Sequence, residues 1–284
     1  MNTRKGSVIP DLQQAQVMGV LNVTPDSFSD GGRYFETDEA VRRAEAMAAD
    51  GAAIVDVGGE STRPGAEKVS EQEELDRVLP VIEAVAARTG VAISIDTSTP
   101  AVMTAAAAAG AVLINDVFAL RKEGALAAAA ATGCHVCLMH MQGEPRVMQE
   151  NPEYDSVVNE VCDFLARRIS VCVEGGIDRG RLIADPGFGF GKTDRHNLEL
   201  LANLDRLQSL GVPILAGLSR KRTLGNLTGR DVDDRMPAGI AAAVLAFERG
   251  AKIIRTHDVA STVDALRIAV AVREAQTSAN NGSS

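Results

Sequence analysis

Several residue types are scarce in this chain of 284 residues, and their scarcity narrows its function. There is no tryptophan, aromatic residues make up 3% of the sequence, and only four cysteines occur. Basic residues are outnumbered, with 29 Lys and Arg against 38 Asp and Glu, which gives a formal net charge of −9. Proteins that bind duplex nucleic acid usually present a basic face. We therefore expect no nucleic-acid partner, and any anionic ligand has to be held by a local basic cluster.

Long apolar runs and linker-like stretches are also missing. The opening MNTRKGSVIP is polar, and no apolar run is long enough to span a bilayer. We therefore expect a cytoplasmic protein with no membrane partner. No Pro/Gly/Ser-rich segment divides the chain, which favours a single domain. We place this domain at residues 16–276, between an N-terminal extension at 1–15 and a flexible tail at 277–284.

Two of the four cysteines, Cys134 and Cys137, form a C-x-x-C pair, a spacing that also occurs in zinc and redox sites. They lie in the apolar run CHVCLM, which is typical of a strand. Three residues along a strand span about 10 Å and place the two side chains on opposite faces. A disulfide needs Cβ atoms about 4 Å apart. We therefore interpret the cysteines as reduced and structural.

The sequence is rich in short apolar runs that alternate with longer helical patterns. Eight runs are predicted to be strands: VMGVL, IVDVGG, VAISID, AVLIND, CHVCLM, RLIADP, VPILAG and KIIRTH. Helices are predicted at 38–50, 71–88, 100–109, 125–132, 154–174, 195–210, 235–249 and 262–274. Strands that alternate with helices pair in parallel, and eight such units can close into a TIM-type (β/α)8 barrel. An open doubly wound sheet is the alternative that the same alternation permits.

Most of the predicted strands end in a polar residue. These residues are Asn22, Asp56, Asp96, Asn115, Asp185, Ser219 just past the seventh run, and Arg255 with His257, whereas the fifth run ends in Met139. Side chains alternate between the two faces of a strand. Most of these polar side chains therefore point to the same face as the apolar residue two positions earlier. Asp and Asn are also common in turns. Because so many strands end in a polar side chain that points to the same side, the pattern nevertheless favours a concave site at the carboxyl end of a barrel.

The loops after the strands carry groups suited to a flat or anionic ligand. The first loop, NVTPDSFSDGG, is long enough to close over a ligand. The second, GGESTRPG, carries Arg63, whose guanidinium can bind phosphate or carboxylate in a bidentate manner. With Arg255 and His257 it would supply three potential cations. The sixth, DPGFGFGK, is either a plain flexible loop or holds Phe188 and Phe190 as apolar walls beside Asp185. GLSRK places Lys221 either at the ligand or on a solvated helical turn.

Eight strings occur together and in one order: NVTPDSFSDGG, DVGGESTRPGA, SIDT, ND, LMHMQG, DPGFGFGK, GLSRK and RTHDV. In this the chain resembles the dihydropteroate synthases, from Val17 to Ala275. The resemblance implies a transferase that condenses 6-hydroxymethyl-7,8-dihydropterin pyrophosphate with p-aminobenzoate to dihydropteroate and pyrophosphate. It also implies Mg²⁺ as cofactor, a homodimer, and inhibition by sulfonamides.

The resemblance further implies a role for individual residues. Pterin binding is implied for Asp96, Asn115, Val117, Met139, Asp185, Phe190, Gly217 and Lys221. Pyrophosphate binding is implied for Asn22, Arg63, Arg255 and His257, and metal binding for Asn22. p-Aminobenzoate binding is implied for Phe28, Thr62, Pro64, Phe190 and Ser219. Catalysis is implied for Asp30, Arg63, Lys221, Arg255 and His257. Asp56 is either close to the metal or a structural hydrogen-bond partner.

Other functions fit parts of this pattern. A methyltetrahydrofolate methyltransferase module would share the pterin residues but should lack the STRPG loop and the pair of Arg255 and His257. A non-catalytic pterin-binding paralogue would be expected to lose Asn22, Arg63 or Lys221, and all three are present. A generic phosphate-binding isomerase barrel does not explain the first-loop string. The motifs contain no Ser–His–Asp or Cys–His set, so we expect catalysis by positioning and electrostatics.

Overall fold

A computed structural model of the chain describes residues 9–12, 14–23, 33–60, 69–143, 148 and 152–281. Its parallel strands are β1 (Gln16–Asn22), β2 (Ile54–Gly58), β3 (Ala92–Asp96), β4 (Leu113–Asp116), β5 (His135–Met139), β6 (Leu182–Asp185), β7 (Leu215–Ala216) and β8 (Ile253–Thr256). They are hydrogen-bonded in the order β6-β5-β4-β3-β2-β1-β8-β7. A parallel bridge between Ala184 and Ile214 joins β6 to the start of β7. This closure confirms the single-domain TIM-type barrel and makes the doubly wound alternative wrong.

The helices lie outside the strands. They are α1 (Arg33–Ala49), α2 (Glu71–Arg88), α3 (Pro100–Ala109), α4 (Ala125–Thr132), α5 (Val157–Glu174), α6 (Asp194–Ala202), α7 (Arg222–Thr228), α8 (Met236–Glu248) and α9 (Val259–Asn281). Local signals set several ends: Ser70 caps α2 by accepting a hydrogen bond from the Glu73 backbone N–H, and Glu71, Glu73 and Glu74 occupy the first turn, where the helix dipole favours negative charge.

The structure corrects three predicted segments. The single helix predicted at 195–210 is wrong, because α6 ends at Ala202 and a 3₁₀-helix occupies Leu204–Leu210. The chain breaks the α-helix at Asn203, where φ is −115°. Helix α7 is additional to the eight predicted helices and begins directly after GLSRK, where the sequence allowed a helical turn. Helix α9 continues to Asn281, so the predicted domain boundary at residue 276 falls inside a helix.

The barrel interior explains why polar residues gather at one mouth. One buried residue from each strand forms its apolar layer: Met18, Ile54, Ala92, Leu113, Cys137, Ile183, Leu215 and Ile253. Residues two positions later on a strand point the same way, about 7 Å further along it. In four of the strands those positions hold Asp56, Asn115, Asp185 and Arg255. The inward phase that the sequence predicted for these side chains is therefore confirmed.

The cysteines behave as structural residues. All four are free. Cys137 belongs to the interior layer, and the Cys134 thiol donates to the Ala111 carbonyl oxygen at 3.4 Å. Burial raises the pKa of both thiols. Among the residues that the structure describes, no group of three or more His, Cys, Asp or Glu could hold a metal ion, and no helix is long and apolar enough to cross a membrane.

Candidate active site

A cavity opens at the carboxyl ends of the strands. Its space, including the open mouth, is about 370 Å³, which is within the size range of small-molecule sites. It is lined by Asp96, Asn115, Val117, Met139, Asp185, Gly187, Phe188, Phe190, Gly217, Lys221 and Arg255. All eight residues that the sequence assigned to pterin binding lie in this lining. The structure thus brings the predicted set together, while the role of each residue stays a prediction.

Arg255 joins three strands beneath the cavity. Its Nε donates to Asp56 Oδ2 at 2.7 Å, and its Nη2 donates to Asp96 Oδ2 at 2.8 Å. Asn115 Nδ2 donates to the same Asp56 oxygen at 3.0 Å. The described residues therefore engage Nε and Nη2 and leave the Nη1 donors of Arg255 for a ligand. Asp56, left open between two roles by the sequence, is here a fully buried hydrogen-bond partner that orients Arg255 and Asn115.

The charges of this network are strongly coupled. Burial by itself lowers the pKa of the Arg255 guanidinium, but Asp56 and Asp96 outweigh that effect and hold the pKa above its usual value. Burial also raises the pKa of the Asp96 carboxyl, and Arg255 opposes this rise. Burial raises the pKa of the Asp185 carboxyl as well, and Lys221, Arg255 and Lys192 oppose this rise. Asp96, Asn115 and Asp185 line the cavity, so its floor offers acceptors to a ligand rich in hydrogen-bond donors.

Asp185 ends β6 and begins a turn that the glycine pattern makes possible. Its Oδ1 accepts a hydrogen bond from the Gly187 backbone N–H at 2.7 Å. Gly187 has φ of +67° and Gly191 has φ of +60°, a left-handed backbone that favours glycine. A Cβ atom on Gly187 would also overlap the His140 carbonyl oxygen. The alternating glycines of DPGFGFGK thus let the turn fold tightly against the end of β5.

Lys221 lies in the cavity, so the solvated alternative for this residue is wrong. Its Nζ is 4.2 Å from the centroid of the Phe190 ring, a cation–π distance. Burial lowers its pKa to about 8, and Arg255 contributes in the same direction. The preceding Arg220 has a left-handed φ of +58°. Arg220 is held by its Nη2 bond to Asp258 Oδ1 at 2.9 Å and by Arg235 Nη1, which donates to its carbonyl oxygen at 3.1 Å.

His257 and Ser219 are brought together near the last strand. Ser219 Oγ lies 3.1 Å from His257 Nδ1, and the His257 backbone N–H donates to Ser219 Oγ at 3.2 Å. Burial, followed by Arg255 and Arg220, lowers the pKa of His257 to about 4. The imidazole is therefore neutral near pH 7. The sequence-based expectation that His257 is a potential third cation stays a prediction.

Other predicted residues are only partly placed. Asn22 ends β1 beside Gly58: a Cβ built on Gly58 would lie 3.6 Å from Asn22 Oδ1 and 3.8 Å from Asp96 Oδ2. The remaining predicted residues, Phe28, Asp30, Thr62, Arg63 and Pro64, lie outside the residues that the structure describes. Their roles in p-aminobenzoate binding, pyrophosphate binding and catalysis stay predictions.

Sequence reasoning missed one buried carboxylate that shapes the wall of the cavity. Asp116 is fully buried and accepts hydrogen bonds from the backbone N–H groups of Phe118 at 2.8 Å and Leu120 at 2.7 Å. It thereby fixes a turn in which Ala119 and Leu120 have left-handed φ values of 53° and 56°. The sequence pattern could have revealed Asp116, because it follows the inward-pointing Asn115 in a buried strand and so points toward the helices. A carboxylate buried there needs hydrogen-bond donors from within the protein.

The fold and the site together define a class of protein. The family described as pterin binding enzyme matches residues 18–257, and the chain belongs to this family. It is 51% identical to the dihydropteroate synthase of Haemophilus influenzae over 258 residues, which cover 91% of this chain and 94% of the relative. It is equally identical to the dihydropteroate synthase of Escherichia coli (strain K12) over 266 residues, which cover 94% of each. Within the pterin binding enzymes, the chain is a member of the dihydropteroate synthase family.

Solved structures agree with this placement. The Yersinia pestis dihydropteroate synthase in a sulfonamide drug complex is 51% identical, superimposes with a TM-score of 0.90, and is matched over 96% of this chain and 98% of its own. The Xanthomonas albilineans dihydropteroate synthase in complex with 7,8-dihydropteroate is 50% identical with a TM-score of 0.85, matched over 93% and 95%. Another structure of the Xanthomonas enzyme contains 4-aminobenzoic acid, with 53% identity, a TM-score of 0.88, and coverage of 92% and 94%.

Proposed function

We propose that this chain is a transferase that condenses 6-hydroxymethyl-7,8-dihydropterin pyrophosphate with p-aminobenzoate to 7,8-dihydropteroate and pyrophosphate. The observation that carries this proposal is the meeting of all eight predicted pterin residues in one cavity at the barrel mouth. A relative of the same family has been solved with 7,8-dihydropteroate, the product of this reaction. The methyltransferase and isomerase alternatives have no comparable support.

The pterin is the ligand that suits the floor of the cavity. Its ring edge presents amino and ring N–H donors, and Asp185, Asp96 and Asn115 supply acceptors. The aromatic ring of Phe190 and the side chains of Val117 and Met139 form an apolar surface for the flat heterocycle. Asp56 and Asp96 bind Nε and Nη2 of Arg255 in the floor. We therefore place the pyrophosphate at the rim, near His257, Asn22 and the predicted Arg63, with Nη1 of Arg255 as its donor from the floor.

The reaction is a substitution at the exocyclic methylene of the pterin. The bond from this carbon to the pyrophosphate oxygen breaks, and the electron pair leaves with pyrophosphate. The dihydropterin ring donates electron density to the carbon, the amine of p-aminobenzoate forms the new carbon–nitrogen bond, and that nitrogen then loses a proton. No side-chain nucleophile is required. Arg255 Nη1 and Lys221 stabilise charge in a preorganised site, and the cavity holds the reacting ring in place.

Mg²⁺ is the cofactor that we propose. The Asn22 side-chain oxygen lies at the carboxyl end of β1 beside Gly58 and Asp96, and it is a hard oxygen ligand of the kind that Mg²⁺ accepts. Mg²⁺ often takes one or two protein ligands and completes its shell with substrate phosphates and water. When bound, it neutralises charge on the departing pyrophosphate. Asn22 is thus the one metal ligand that we assign to this chain.

p-Aminobenzoate and sulfonamides are proposed to share one subsite. Of the residues that we assign to it, Phe190 and Ser219 lie among the described residues. Phe190 offers a ring face, and Ser219 offers a hydroxyl bonded to His257. Related dihydropteroate synthases have been solved with 4-aminobenzoic acid and with a sulfonamide drug. Both ligands carry an aniline ring with a polar para group, so competition between them is expected.

A homodimer in the cytoplasm is proposed from the outer helices and the family. Ile268 and Val272 lie one turn apart on α9 and are 68% and 54% exposed, and Leu245 on the neighbouring α8 is 44% exposed. Exposed apolar residues grouped in this way favour a protein–protein contact. Sedimentation should give the mass of two chains, and Ile268→Glu should shift it toward one chain. Fractionation of the cells that express the protein would test its location.

One assay tests the proposed reaction directly. The purified chain is incubated with the pterin pyrophosphate and Mg²⁺, and released pyrophosphate and dihydropteroate are measured with and without p-aminobenzoate. We expect dihydropteroate to form in equal amount to the pyrophosphate released in the presence of p-aminobenzoate. Pyrophosphate release without formation of a carbon–nitrogen product would contradict the proposed function, as would no release at all.

A further inference from the structure

Lys192 is a buried cation that the reaction described above does not use. It is 1% exposed and among the largest fully buried side chains of the described residues. Its Nζ lies 2.9 Å from the Gly187 carbonyl oxygen, 3.0 Å from the Phe190 carbonyl oxygen and 3.0 Å from His140 Nδ1. An ammonium group has three N–H donors, and three acceptors surround this one.

The acceptors of Lys192 belong to the wall of the pterin cavity. Gly187 and Phe190 line the cavity themselves, and His140 directly follows the lining residue Met139. Lys192 is not part of the lining. It lies behind the wall, and it fastens the turn after β6 to the end of β5. Lys192 therefore does not touch a pterin bound in the cavity, and it acts on the ligand through the wall that it holds and through its charge.

Packing around His140 supports the same turn from outside. The His140 ring meets Phe164 edge-on, with centroids 4.9 Å apart, and lies 6.1 Å from the ring of Tyr154. The Tyr154 hydroxyl donates to the Gly191 carbonyl oxygen at 2.8 Å. The turn is thereby held at three of its carbonyl oxygens, two by Lys192 and one by Tyr154. Two of the three bonds depend on the Lys192 amino group.

The charge of Lys192 also reaches the cavity. Burial lowers its pKa from 10.5 to about 7, while Asp185 raises it and Lys221 lowers it further. Burial raises the pKa of Asp185, and the Gly187 N–H, Lys221, Arg255 and Lys192 oppose that rise. His140 is neutral, because burial followed by Lys192 lowers its pKa to about 2. With the ring proton on Nε2, His140 Nδ1 accepts from the Lys192 ammonium at 3.0 Å.

We propose that Lys192 is a positioning residue for the pterin, which fixes the Gly187–Phe190 wall through two carbonyl oxygens and holds a buried positive charge against Gly187, whose backbone N–H donates to Asp185. The inference rests on the proposed function, since it requires that the cavity binds a pterin. Lys192 does not touch the substrate. Its removal would leave two carbonyl oxygens and a ring nitrogen without their donor, and would leave Asp185 with one cation fewer.

The test compares Lys192→Met with a matched control. Arg181→Met removes a cation just before β6, at the end of the strand away from the Lys192 turn, where Arg181 Nη1 donates to the Cys134 carbonyl oxygen at 3.2 Å. Calorimetry measures the affinity of each variant for 6-hydroxymethylpterin and, separately, for inorganic pyrophosphate. A displaced wall that loses one hydrogen bond to the pterin lowers the pterin affinity by up to about tenfold. We expect such a loss for the pterin in Lys192→Met, unchanged pyrophosphate affinity, and wild-type pterin affinity in Arg181→Met.

A pH series separates positioning from simple destabilisation. In the folded state Lys192 loses its proton near pH 7, whereas the unfolded chain keeps its proton to about pH 10.5. The unfolded state then binds more protons above pH 7, so this group makes the free energy of unfolding rise with pH. Pterin affinity should change in the opposite direction, because the buried positive charge against Gly187 is lost. Lys221 and Asp96 titrate nearby, with pKa values of about 8 and about 7, so a variant must be measured in parallel.

Lys192→Gln serves as that variant, since it keeps two N–H donors and carries no charge. The ratio of wild-type to Gln-variant pterin affinity should shrink as the pH rises from about 6 to about 7.5. A ratio of affinities that does not depend on pH would overturn the proposed effect of the Lys192 charge on pterin binding. Pterin affinity within twofold of wild type in Lys192→Met, or equal losses for pterin and pyrophosphate, would overturn the positioning role.

The measurements separate three outcomes: a variant that does not fold, a protein that does not bind pterin, and a Lys192 that does not position the pterin. If neither Lys192 variant folds while Arg181→Met does, Lys192 acts in folding and the positioning role is overturned. If the wild-type protein binds no pterin, the proposed function fails, and the inference about Lys192 fails with it. Wild-type pterin binding together with unaffected Lys192 variants would leave the proposed function intact and refute the inference alone.

Discussion

Replacing Arg255 by Met should cost far more stability than the loss of one surface ion pair. Arg255 bonds Asp56 at 2.7 Å and Asp96 at 2.8 Å, and the Asp56 side chain has no exposed area. Removal of one partner leaves an uncompensated buried carboxylate, and such changes cost about 3–5 kcal/mol. That is a large part of the roughly 5–15 kcal/mol that stabilises a typical domain. The free energy of unfolding is measured by urea denaturation at neutral pH.

Arg267→Met is the matched control, because its ion pair with Asp264 is exposed on both sides, at 71% and 78%. Exposed pairs of this kind contribute about 0–1 kcal/mol. Adding Asp56→Asn to Arg255→Met should recover part of the loss, since the amide is neutral and still accepts from Asn115. Equal losses in the two Arg variants would refute the reasoning, as would a double variant less stable than Arg255→Met.

The remaining predictions concern the ligands and the turn after β6. Asp185→Asn should weaken pterin binding by about tenfold to a hundredfold, because an unpaired buried donor costs about 1–3 kcal/mol; near-native affinity by calorimetry would contradict this. Gly187→Ala should destabilise the protein by about 1–3 kcal/mol in thermal unfolding, since φ is +67° and the methyl group would meet the His140 carbonyl oxygen; an unchanged melting temperature would count against a tight contact between this turn and the end of β5. Sulfamethoxazole should inhibit competitively with p-aminobenzoate in steady-state assays, and a noncompetitive pattern would mean that the aniline subsite is placed wrongly.

Long-range pairing limited what could be predicted about the site. Arg255 was expected to face the mouth as a cation for phosphate, and its phase was right. Its partners Asp56 and Asp96 lie 199 and 159 residues away in the sequence, so no local pattern relates them. The same holds for Lys192 and His140, which are 52 residues apart. The neutral state of His257 likewise follows from burial and from neighbouring arginines that only the folded chain brings close.

The sequence by itself determined the alternation of strands and helices and the direction of the strand side chains, whereas closure into a barrel is a property of the tertiary structure. Strand period, helix spacing and the alternation of the two are local properties, and they set which residues point inward once eight units close into a barrel. The helix predicted at 195–210 failed at Asn203, because the buried residues Leu204, Leu207 and Leu210 recur every three positions, a spacing that suits the observed 3₁₀-helix as well as an α-helix. Tertiary structure alone decided which inward groups bond, which are buried, and hence which are charged. Hydrogen bonding and desolvation act through space, and a linear pattern records neither.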